Sequence, residues 1–244
     1  MAHEKVREEY VTVHKRVLIS NRGEIAIRIA KSVTTLGMES VGVYPAIDAL
    51  SLHTRCMTES YEFGTAQDAV GAYLNAEALI QTAKASGCDC LHPGYGFLSE
   101  NAPFAELCAD EGITFIGPPP ATLSLFGDKV RARALAESLD IPVVPGSAAP
   151  LGSALEAEEL ANDLGYPVML KAAAGGGGRG MRVVERAEQM AEAFARCSSE
   201  AQAAFGDGSV FMERLVARPR HIEVQILADS YGNVVHLHER DCSV

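Results

Sequence analysis

The sequence predicts an α/β protein in three parts: a doubly wound parallel sheet, a smaller α+β unit, and the beginning of a third domain. Two observations support this prediction. Over residues 1–116, short apolar runs alternate with helical segments, which is typical of a parallel sheet covered by helices. After the prolines at positions 118–120 this order changes, and a run of glycines lies between two strand-like segments. The change of pattern indicates a second unit with its own fold.

Each element of the first domain has a local signal. Strands are predicted where short apolar runs lie between turn residues, at residues 16–20, 40–44, 90–92 and 113–116. Helices are predicted where apolar residues recur at helical spacing, at residues 23–36, 74–86 and 104–110. A glycine follows each helix, at Gly37, Gly87 and Gly112, as expected for the residue that ends a helix.

The later elements predict a linker, a compact unit and a hairpin. Helices are expected at residues 122–139, 154–164 and about 187–205, and strands at residues 168–172, 181–184 and 210–215. Residues 222–228 and 234–238 flank a turn at 229–233 and predict a β-hairpin. The predicted domains are therefore residues 1–116, 144–215 and 216–244, with a helical linker at 117–143.

Composition and charge restrict the possible partners. The chain has 244 residues, a formal net charge of −11 and a pI near 5.1, whereas nucleic acids and anionic membranes attract basic surfaces. No stretch approaches the ~20 apolar residues of a membrane span. The six cysteines form no CxxC pair, which indicates reduced thiols, and the acidic N-terminal residues fit no targeting peptide. We expect a cytoplasmic protein that binds neither nucleic acid nor membranes.

The most informative stretch is YPVMLKAAAGGGGRG at residues 166–180. Gly175, Gly177 and Gly180 satisfy the GxGxxG pattern of dinucleotide-binding domains. In those domains a helix follows the glycines and holds the pyrophosphate at its N-terminus. Here the β-branched segment at residues 181–184 favours a strand instead, and no Gly-Lys-Ser/Thr sequence of a P-loop is present. A dinucleotide site is therefore the weaker interpretation.

Strand, glycine loop and strand together predict a flexible hairpin that covers a polyphosphate. Without Cβ atoms, the loop backbone can approach the phosphates and direct N–H groups at them. Lys171 ends the strand that enters the loop, where its ammonium can reach phosphate oxygens. The alternative is a solvated lysine beside a flexible loop.

Several motifs resemble the biotin carboxylases, which belong to the ATP-grasp enzymes. The resemblance spans essentially the whole chain, in NRGEIAIRI (21–29), HPGYGFLSEN (92–101), FIGP (115–118), GDKVRAR (127–133), the stretch at 166–184, MERLV (212–216), RHIEVQILAD (220–229) and HLHERDCS (236–243). The glycine stretch alone is typical of ATP-grasp enzymes in general, and HPGYGFLSEN with HLHERDCS narrows the resemblance. It implies a Rossmann-like pre-ATP-grasp domain, an ATP-grasp lid domain and part of a third domain.

The resemblance also implies which residues bind ATP. Lys129 and Lys171 resemble the two lysines that reach the phosphates. Gly176, Gly177 and Gly178 resemble the tip of the closing loop, and Met181 an apolar contact of the adenine. The remaining implied contacts are the segment between the lobes and one histidine: Glu213, Arg214, Leu215, Val216 and His221. His236 and His238 could form a metal pair, but without an evident third ligand we predict no metal site in this segment.

The chemistry implied by the resemblance is ATP-dependent carboxylation of biotin by bicarbonate through carboxyphosphate. The cofactors are then ATP, Mg²⁺, bicarbonate and carrier-linked biotin, and the partners are a biotin carboxyl carrier domain and a carboxyltransferase domain or subunit. The intact protein is expected to be a homo-oligomer. The magnesium ligands and the residues that activate biotin are expected beyond residue 244, so this segment is expected to lack a complete catalytic centre.

Two other functions remain open at this point. One is another ATP-grasp ligase, such as half of a carbamoyl-phosphate synthase, and the other is a nicotinamide-dependent oxidoreductase. The final carboxyl acceptor is also open among acyl-CoA, pyruvate and urea. The resemblance favours an acyl-CoA carboxylase of fatty acid metabolism.

Overall fold

The computed structural model describes residues 14–64, 68–173, 180–229 and 231–243. The chain divides into two compact units, one ending at Ala132 and the other beginning at Arg133. The finer boundaries expected at residues 116, 143 and 215 remain predictions.

A five-stranded parallel sheet forms the first unit, with strand order β3-β2-β1-β4-β5. The strands are β1 (Arg16–Ile19), β2 (Glu39–Tyr44), β3 (Glu59–Glu62), β4 (Cys90–His92) and β5 (Thr114–Phe115). This topology confirms the predicted doubly wound sheet. Strand β3 was not predicted, because its sequence ESYE is polar and its residues are largely exposed at the edge of the sheet.

Helices cover both faces of this sheet, namely α1 (Gly23–Thr35), α2 (Ala69–Tyr73), α3 (Ala76–Ala85) and α4 (Ala102–Asp110). A fifth helix, α5 (Pro120–Gly127), packs against α4. Helix α1 packs with Val17 and Ile19 on one face, whereas α3 and α4 pack with Leu18 and Leu91 on the other. Adjacent residues of β1 therefore enter different cores, which explains why the strand is a continuous apolar run.

Capping side chains account for the differences at two predicted helices. The helix expected at 74–86 starts at Ala76, because the Asn75 side chain accepts the backbone N–H of Ala78 at 3.0 Å and caps α3, and the short helix α2 before it was not predicted. The helix expected at 122–139 is divided because Asp128 Oδ1 accepts the N–H groups of Val130 and Arg131 and starts α6 (Lys129–Ser138). Asparagine and aspartate are preferred at such caps, since they satisfy N–H groups that have no partner within the helix.

The second unit contains an antiparallel three-stranded sheet with order β7-β6-β8, formed by β6 (Val168–Ala172), β7 (Met181–Val184) and β8 (Val210–Arg214). Helices α7 (Ala154–Leu164) and α8 (Met190–Phe205) pack against one face of it. Residues of β6 on that face, Val168 and Leu170, are fully buried. The predicted α+β unit is therefore present.

The hairpin predicted near the end of the chain is formed by β9 (Ile222–Ala228) and β10 (Val234–Asp241). Strand β10 is longer than expected and contains an irregularity between His236 and Glu239, where His238 has a positive φ of 65°. Among the described residues, no helix is long and apolar enough to cross a membrane.

Candidate nucleotide-binding site

The three-stranded sheet has one face that its own helices leave uncovered. Register places six residues on this side in two rows: Met181, Lys171 and Phe211 in one, Val183, Met169 and Glu213 in the other. We call these six residues the open face. Met181 and Val183 are 45% and 47% exposed, so an apolar surface is available to a ligand. Lys171 and Met181, both predicted site residues, lie directly opposite each other across the β6–β7 pair.

Lys171 forms an ion pair with Glu213 on the open face. Its ammonium donates to Glu213 Oε2, and about one third of each side chain is exposed. Both residues were predicted from the resemblance, but nothing in the sequence indicated that they contact each other. Met169, Val183 and Phe211 were missed, because only the strand register reveals that they share a face with Lys171.

The arms of the glycine loop leave the sheet at a close contact. Ala172 donates its N–H to Gly180 O at 2.9 Å, and a Cβ at Gly180 would lie 2.8 Å from the Ala172 Cβ. Gly180 also has a φ of +67°, so a glycine is required there. The buried Cys197 thiol lies 3.2 Å from Gly180 O and donates to it, and burial raises the pKa of this thiol. The tip residues Gly176, Gly177 and Gly178 lie outside the described residues.

A second segment fixes the other edge of β8. Gly146 pairs with Glu213, Ser147 donates its N–H to Met212 O at 2.8 Å, and Arg214 donates its N–H to Pro145 O at 2.8 Å. A Cβ at Gly146 would lie 2.4 Å from Met212 O and 3.1 Å from the Glu213 Cγ. The backbone that carries Glu213 is therefore held on both sides.

The segment after β8 offers fewer free backbone groups than the resemblance implies. The Arg214 amide is occupied by Pro145 O, and the Leu215 amide donates to Pro167 O at 3.1 Å. Within the described ranges, the Val216 amide has no partner, and the Val216 side chain is 50% exposed. Of the three amides, only that of Val216 is available to an adenine edge.

Two further predicted residues lie outside the three-stranded sheet. Lys129 is exposed in the first turn of α6, beside the Asp128 cap, and belongs to the first unit. His221 is exposed at the base of the last hairpin, where its N–H donates to Ser243 Oγ at 2.6 Å and its carbonyl accepts from Cys242. Their roles as nucleotide contacts stay predictions.

One cluster of possible metal ligands occurs among the described residues, although no metal site was predicted. Atoms of His14, Asp89 and Cys90 lie within 4.8 Å of one another at the start of β1 and β4. The Asp89 carboxylate accepts the N–H groups of Lys15 at 2.8 Å and Arg16 at 3.4 Å. These bonds account for the position of Asp89 as a cap of the strand end.

At the opposite ends of β1 and β4, their carboxyl ends, polar side chains of the first unit also converge. The strand order reverses between these strands, and in such sheets ligands bind in the crevice at this point. Asn21, 3% exposed, donates to Pro93 O at 2.7 Å and to Tyr95 O at 2.8 Å. His92 Nδ1 accepts the Gly94 N–H at 3.0 Å, and burial lowers the pKa of His92. Together these bonds hold the loop that presents the exposed Tyr95 ring.

Comparison with known families assigns one family to the N-terminal half of the chain and another to the C-terminal half. The family described as the biotin carboxylase N-terminal domain matches residues 13–123. The family described as the carbamoyl-phosphate synthase L chain ATP-binding domain matches residues 128–244.

Curated relatives are similar in sequence over nearly the whole chain. The mitochondrial pyruvate carboxylase of Mus musculus is 50% identical over 238 residues, which is 98% of this chain and 20% of that protein. The pyruvate carboxylase of Staphylococcus aureus is 49% identical over 230 residues, 94% of this chain and 20% of that protein. The chain thus spans about one fifth of the length of these relatives.

Solved structures show the same relationship. A Campylobacter jejuni biotin carboxylase, described as a β-γ-ATP complex, has a TM-score of 0.89 and 46% identity, over 94% of this chain and 51% of that chain. The biotin carboxylase domain of Hydrogenobacter thermophilus 2-oxoglutarate carboxylase, described with MgADP, ADP and bicarbonate, has a TM-score of 0.88 and 44% identity, over 95% of this chain and 51% of that chain.

The fold and its solved relatives define an ATP-grasp protein. The N-terminal match then distinguishes the branch: the chain belongs to the biotin carboxylase family and holds its N-terminal and ATP-binding domains. The dinucleotide interpretation fails because strand β7, not a helix, follows the glycine run. Although the ATP-binding family is named after carbamoyl-phosphate synthase, the N-terminal domain and the relatives favour biotin carboxylase over that alternative.

Proposed function

We propose that this chain is the ATP-binding part of a biotin carboxylase, which carboxylates carrier-linked biotin with ATP and bicarbonate. The observation that carries the proposal is the open face, where an apolar surface of Met169, Met181 and Phe211 surrounds a lysine next to the glycine loop. An adenine needs the first feature and a phosphate tail the second. The relatives named above support the specific reaction.

In the proposed reaction, a bicarbonate oxygen attacks the γ-phosphorus of ATP, the bond to the β-phosphate oxygen breaks, and ADP leaves. The carboxyphosphate then breaks down to CO₂ and phosphate. The CO₂ adds to the ureido nitrogen of biotin, and the proton of that nitrogen passes to the phosphate. Phosphoryl transfer depends mainly on positioning and on neutralising charge. Lys171 would bind the phosphate oxygens, the Val216 amide would contact the adenine edge, and Lys129 would add a second positive charge. The loop between β6 and β7 would exclude water, which otherwise hydrolyses carboxyphosphate.

Magnesium is part of this proposal, but the open face does not fit a magnesium site. Mg²⁺ is usually held by one or two carboxylates together with substrate phosphates. Among the open-face residues, Glu213 is the one carboxylate, and it is paired with Lys171. We therefore assign no step to a metal here and expect its ligands outside this segment.

For the final carboxyl acceptor, we now favour pyruvate. The expectation of an acyl-CoA carboxylase has no support among the relatives named above, since both curated ones are pyruvate carboxylases and one solved relative is a 2-oxoglutarate carboxylase domain. A carrier domain, a carboxyltransferase and a homo-oligomeric assembly are proposed as partners on the same basis. A cytoplasmic location remains a prediction, because the mouse relative is mitochondrial by name.

The test is ATP cleavage by the full-length protein that contains this chain. We expect phosphate release to require bicarbonate and to increase with free biotin, and carboxyl transfer to pyruvate to exceed transfer to acetyl-CoA. The 244-residue segment alone should show no bicarbonate-dependent turnover. ATP cleavage that is indifferent to bicarbonate and biotin would refute the proposed function, and turnover by the segment alone would refute the predicted incompleteness of its site.

A further inference from the structure

We propose that Glu213 is the counter-ion of Lys171 and makes the site bind a complete nucleotide in preference to a bare polyphosphate. This inference rests on the function proposed above and adds a specificity-determining role for Glu213. It begins from the ion pair on the open face, which forms without any ligand.

The geometry of this pair is set by the sheet. Met169 lies opposite Glu213 and Lys171 lies opposite Phe211, so the two charged residues are diagonal neighbours on adjacent strands. The side chains of Lys171 and Glu213 are 32% and 33% exposed. At this intermediate burial, water screens the attraction less than at a fully exposed surface.

The rest of the open face gives Lys171 no other counter-ion. Its direct neighbours across the strands are Met181 and Phe211, and the other two open-face residues, Met169 and Val183, are also apolar. Neutralisation of the Lys171 ammonium on this face therefore depends on Glu213.

The backbone of Glu213 is hydrogen-bonded into the sheet on both sides, so its position relative to Lys171 is determined by the fold. Strand β6 pairs with β8 on one side, and Gly146 pairs with Glu213 on the other. A methyl group at position 146 would lie 3.1 Å from the Glu213 Cγ. The glycine leaves the space in which the stem of Glu213 lies.

Binding of a polyphosphate has an electrostatic consequence for this pair. When phosphate oxygens take over the Lys171 ammonium, the released Glu213 carboxylate lies near a like charge, which opposes binding. A nucleoside offers hydrogen-bond donors to the carboxylate, in its ribose hydroxyls and its exocyclic amine. Tripolyphosphate, the probe used below, offers none when it is fully ionised. Glu213 thus penalises anions that lack a nucleoside.

The direct test is calorimetric binding of inorganic tripolyphosphate to the full-length protein and to its Glu213→Gln variant. Glutamine keeps the size of the side chain and removes the negative charge. We expect the variant to bind tripolyphosphate more tightly by up to about fivefold, the scale of one partly exposed ion pair that no longer has to be broken. ATP should gain less or bind more weakly, so the preference for ATP over tripolyphosphate should fall.

A matched control is Glu200→Gln. Glu200 pairs with Arg182, a β7 residue that lies opposite Leu170 on the helix-covered side of the same sheet. Arg182 is as exposed as Lys171, at 32%, whereas Glu200 is more exposed than Glu213, at 53% against 33%. The substitution changes net charge by the same amount. We expect it to leave tripolyphosphate affinity unchanged.

Two further variants make the result decisive. Lys171→Met in the Glu213→Gln background should abolish the gain, because the freed lysine is its source. Glu213→Asp, whose carboxylate is one methylene shorter, should give a smaller gain and serves if the glutamine variant fails to fold. Unchanged affinity in the folded Glu213 variants, or an equal gain in Glu200→Gln, would overturn the inference. These binding measurements need no turnover. Their outcome is therefore independent of the bicarbonate and biotin dependence that tests the proposed function.

Discussion

The central strands of the two sheets, β1 and β6, differ in how they are buried. Val17, Leu18 and Ile19 of β1 are all fully buried, because helices cover both faces of the parallel sheet. In β6, buried Val168 and Leu170 alternate with partly exposed Met169 and Lys171. A strand covered on both faces can only support the fold, whereas a strand covered on one face can also present side chains to a ligand.

This difference also determines where polar groups occur. In the first unit they lie at the ends of strands, as Asn21 and His92 do after β1 and in β4. In the second unit Lys171 and Glu213 lie on the face of the sheet itself. A substitution on the covered face of β6 should therefore reduce mainly stability, and a substitution of its neighbour on the open face mainly activity. Measuring both tests the contrast between β1 and β6.

The largest expected effect is on activity, from Lys171→Met in the full-length protein. Methionine suits the apolar neighbours of Lys171 but cannot bind phosphate. We expect kcat/KM for ATP to fall by about 10²–10³-fold, the usual result of removing one group that stabilises the transition state electrostatically. Steady-state kinetics with bicarbonate and biotin measures this.

The stability of the three-stranded sheet should be nearly unchanged in the same variant, since a partly exposed ion pair contributes about 0–1 kcal/mol. Near-normal kinetics would show that Lys171 does not bind the phosphates. A large loss of stability would show instead that the open face belongs to the core, and the contrast between β1 and β6 would disappear.

The neighbouring substitution, Leu170→Ala, should have the opposite outcome. Leu170 is fully buried among Val184, Met190 and Met212, so its removal leaves a cavity. We expect the three-stranded sheet to lose about 2–5 kcal/mol of stability against opening. Amide hydrogen exchange of β6 and β8 in the full-length protein measures this locally. At low temperature kcat should fall far less than in Lys171→Met, and an equal fall would contradict the separation of the two faces.

Most of the fold could be predicted because its signals are local. Short apolar runs next to turn residues located β1, β4 and β6, and the bounds of β6, β7 and α7 agree with the structure. The errors arose where local signals were weak or conflicting. Strand β3 is a polar edge strand, and the cap at Asn75 starts α3 two residues later than predicted. The cap at Asp128 divides a segment whose helical pattern continues through it.

Less of the candidate site could be predicted, because a site depends on contacts between distant residues. Lys171 was found through the glycine loop that follows it and Met181 through the family resemblance, and the structure places them opposite each other. The contact of Lys171 with Glu213 joins residues 42 positions apart, and neither hydrophobic periodicity nor any motif encodes it. The role of Gly146 depends on the register of a strand pair and is equally hidden in the sequence.

The smallest expected effect concerns the strand ends of the first unit and depends on pH. Burial lowers the pKa of His92 below its ordinary value of 6.5, so the folded protein resists its protonation while the unfolded chain does not. The contribution of neutral His92 is fully present above pH 6.5 and is lost as pH falls below that value. The buried His53, whose pKa burial also lowers, adds a contribution of the same sign.

The substitution His92→Asn isolates the His92 contribution. The asparagine oxygen can accept the Gly94 N–H in place of Nδ1 but does not titrate near pH 6. We expect amide exchange of residues 94–97, corrected for intrinsic rates, to accelerate between pH 7.5 and pH 5.5 in the wild-type protein and to change less in the variant. Equal acceleration in both would mean that His92 does not hold this loop. In that case, polar groups at the strand ends of the parallel sheet would not serve to position the loops that follow them, and the contrast with the open face of the second sheet would lose its functional meaning.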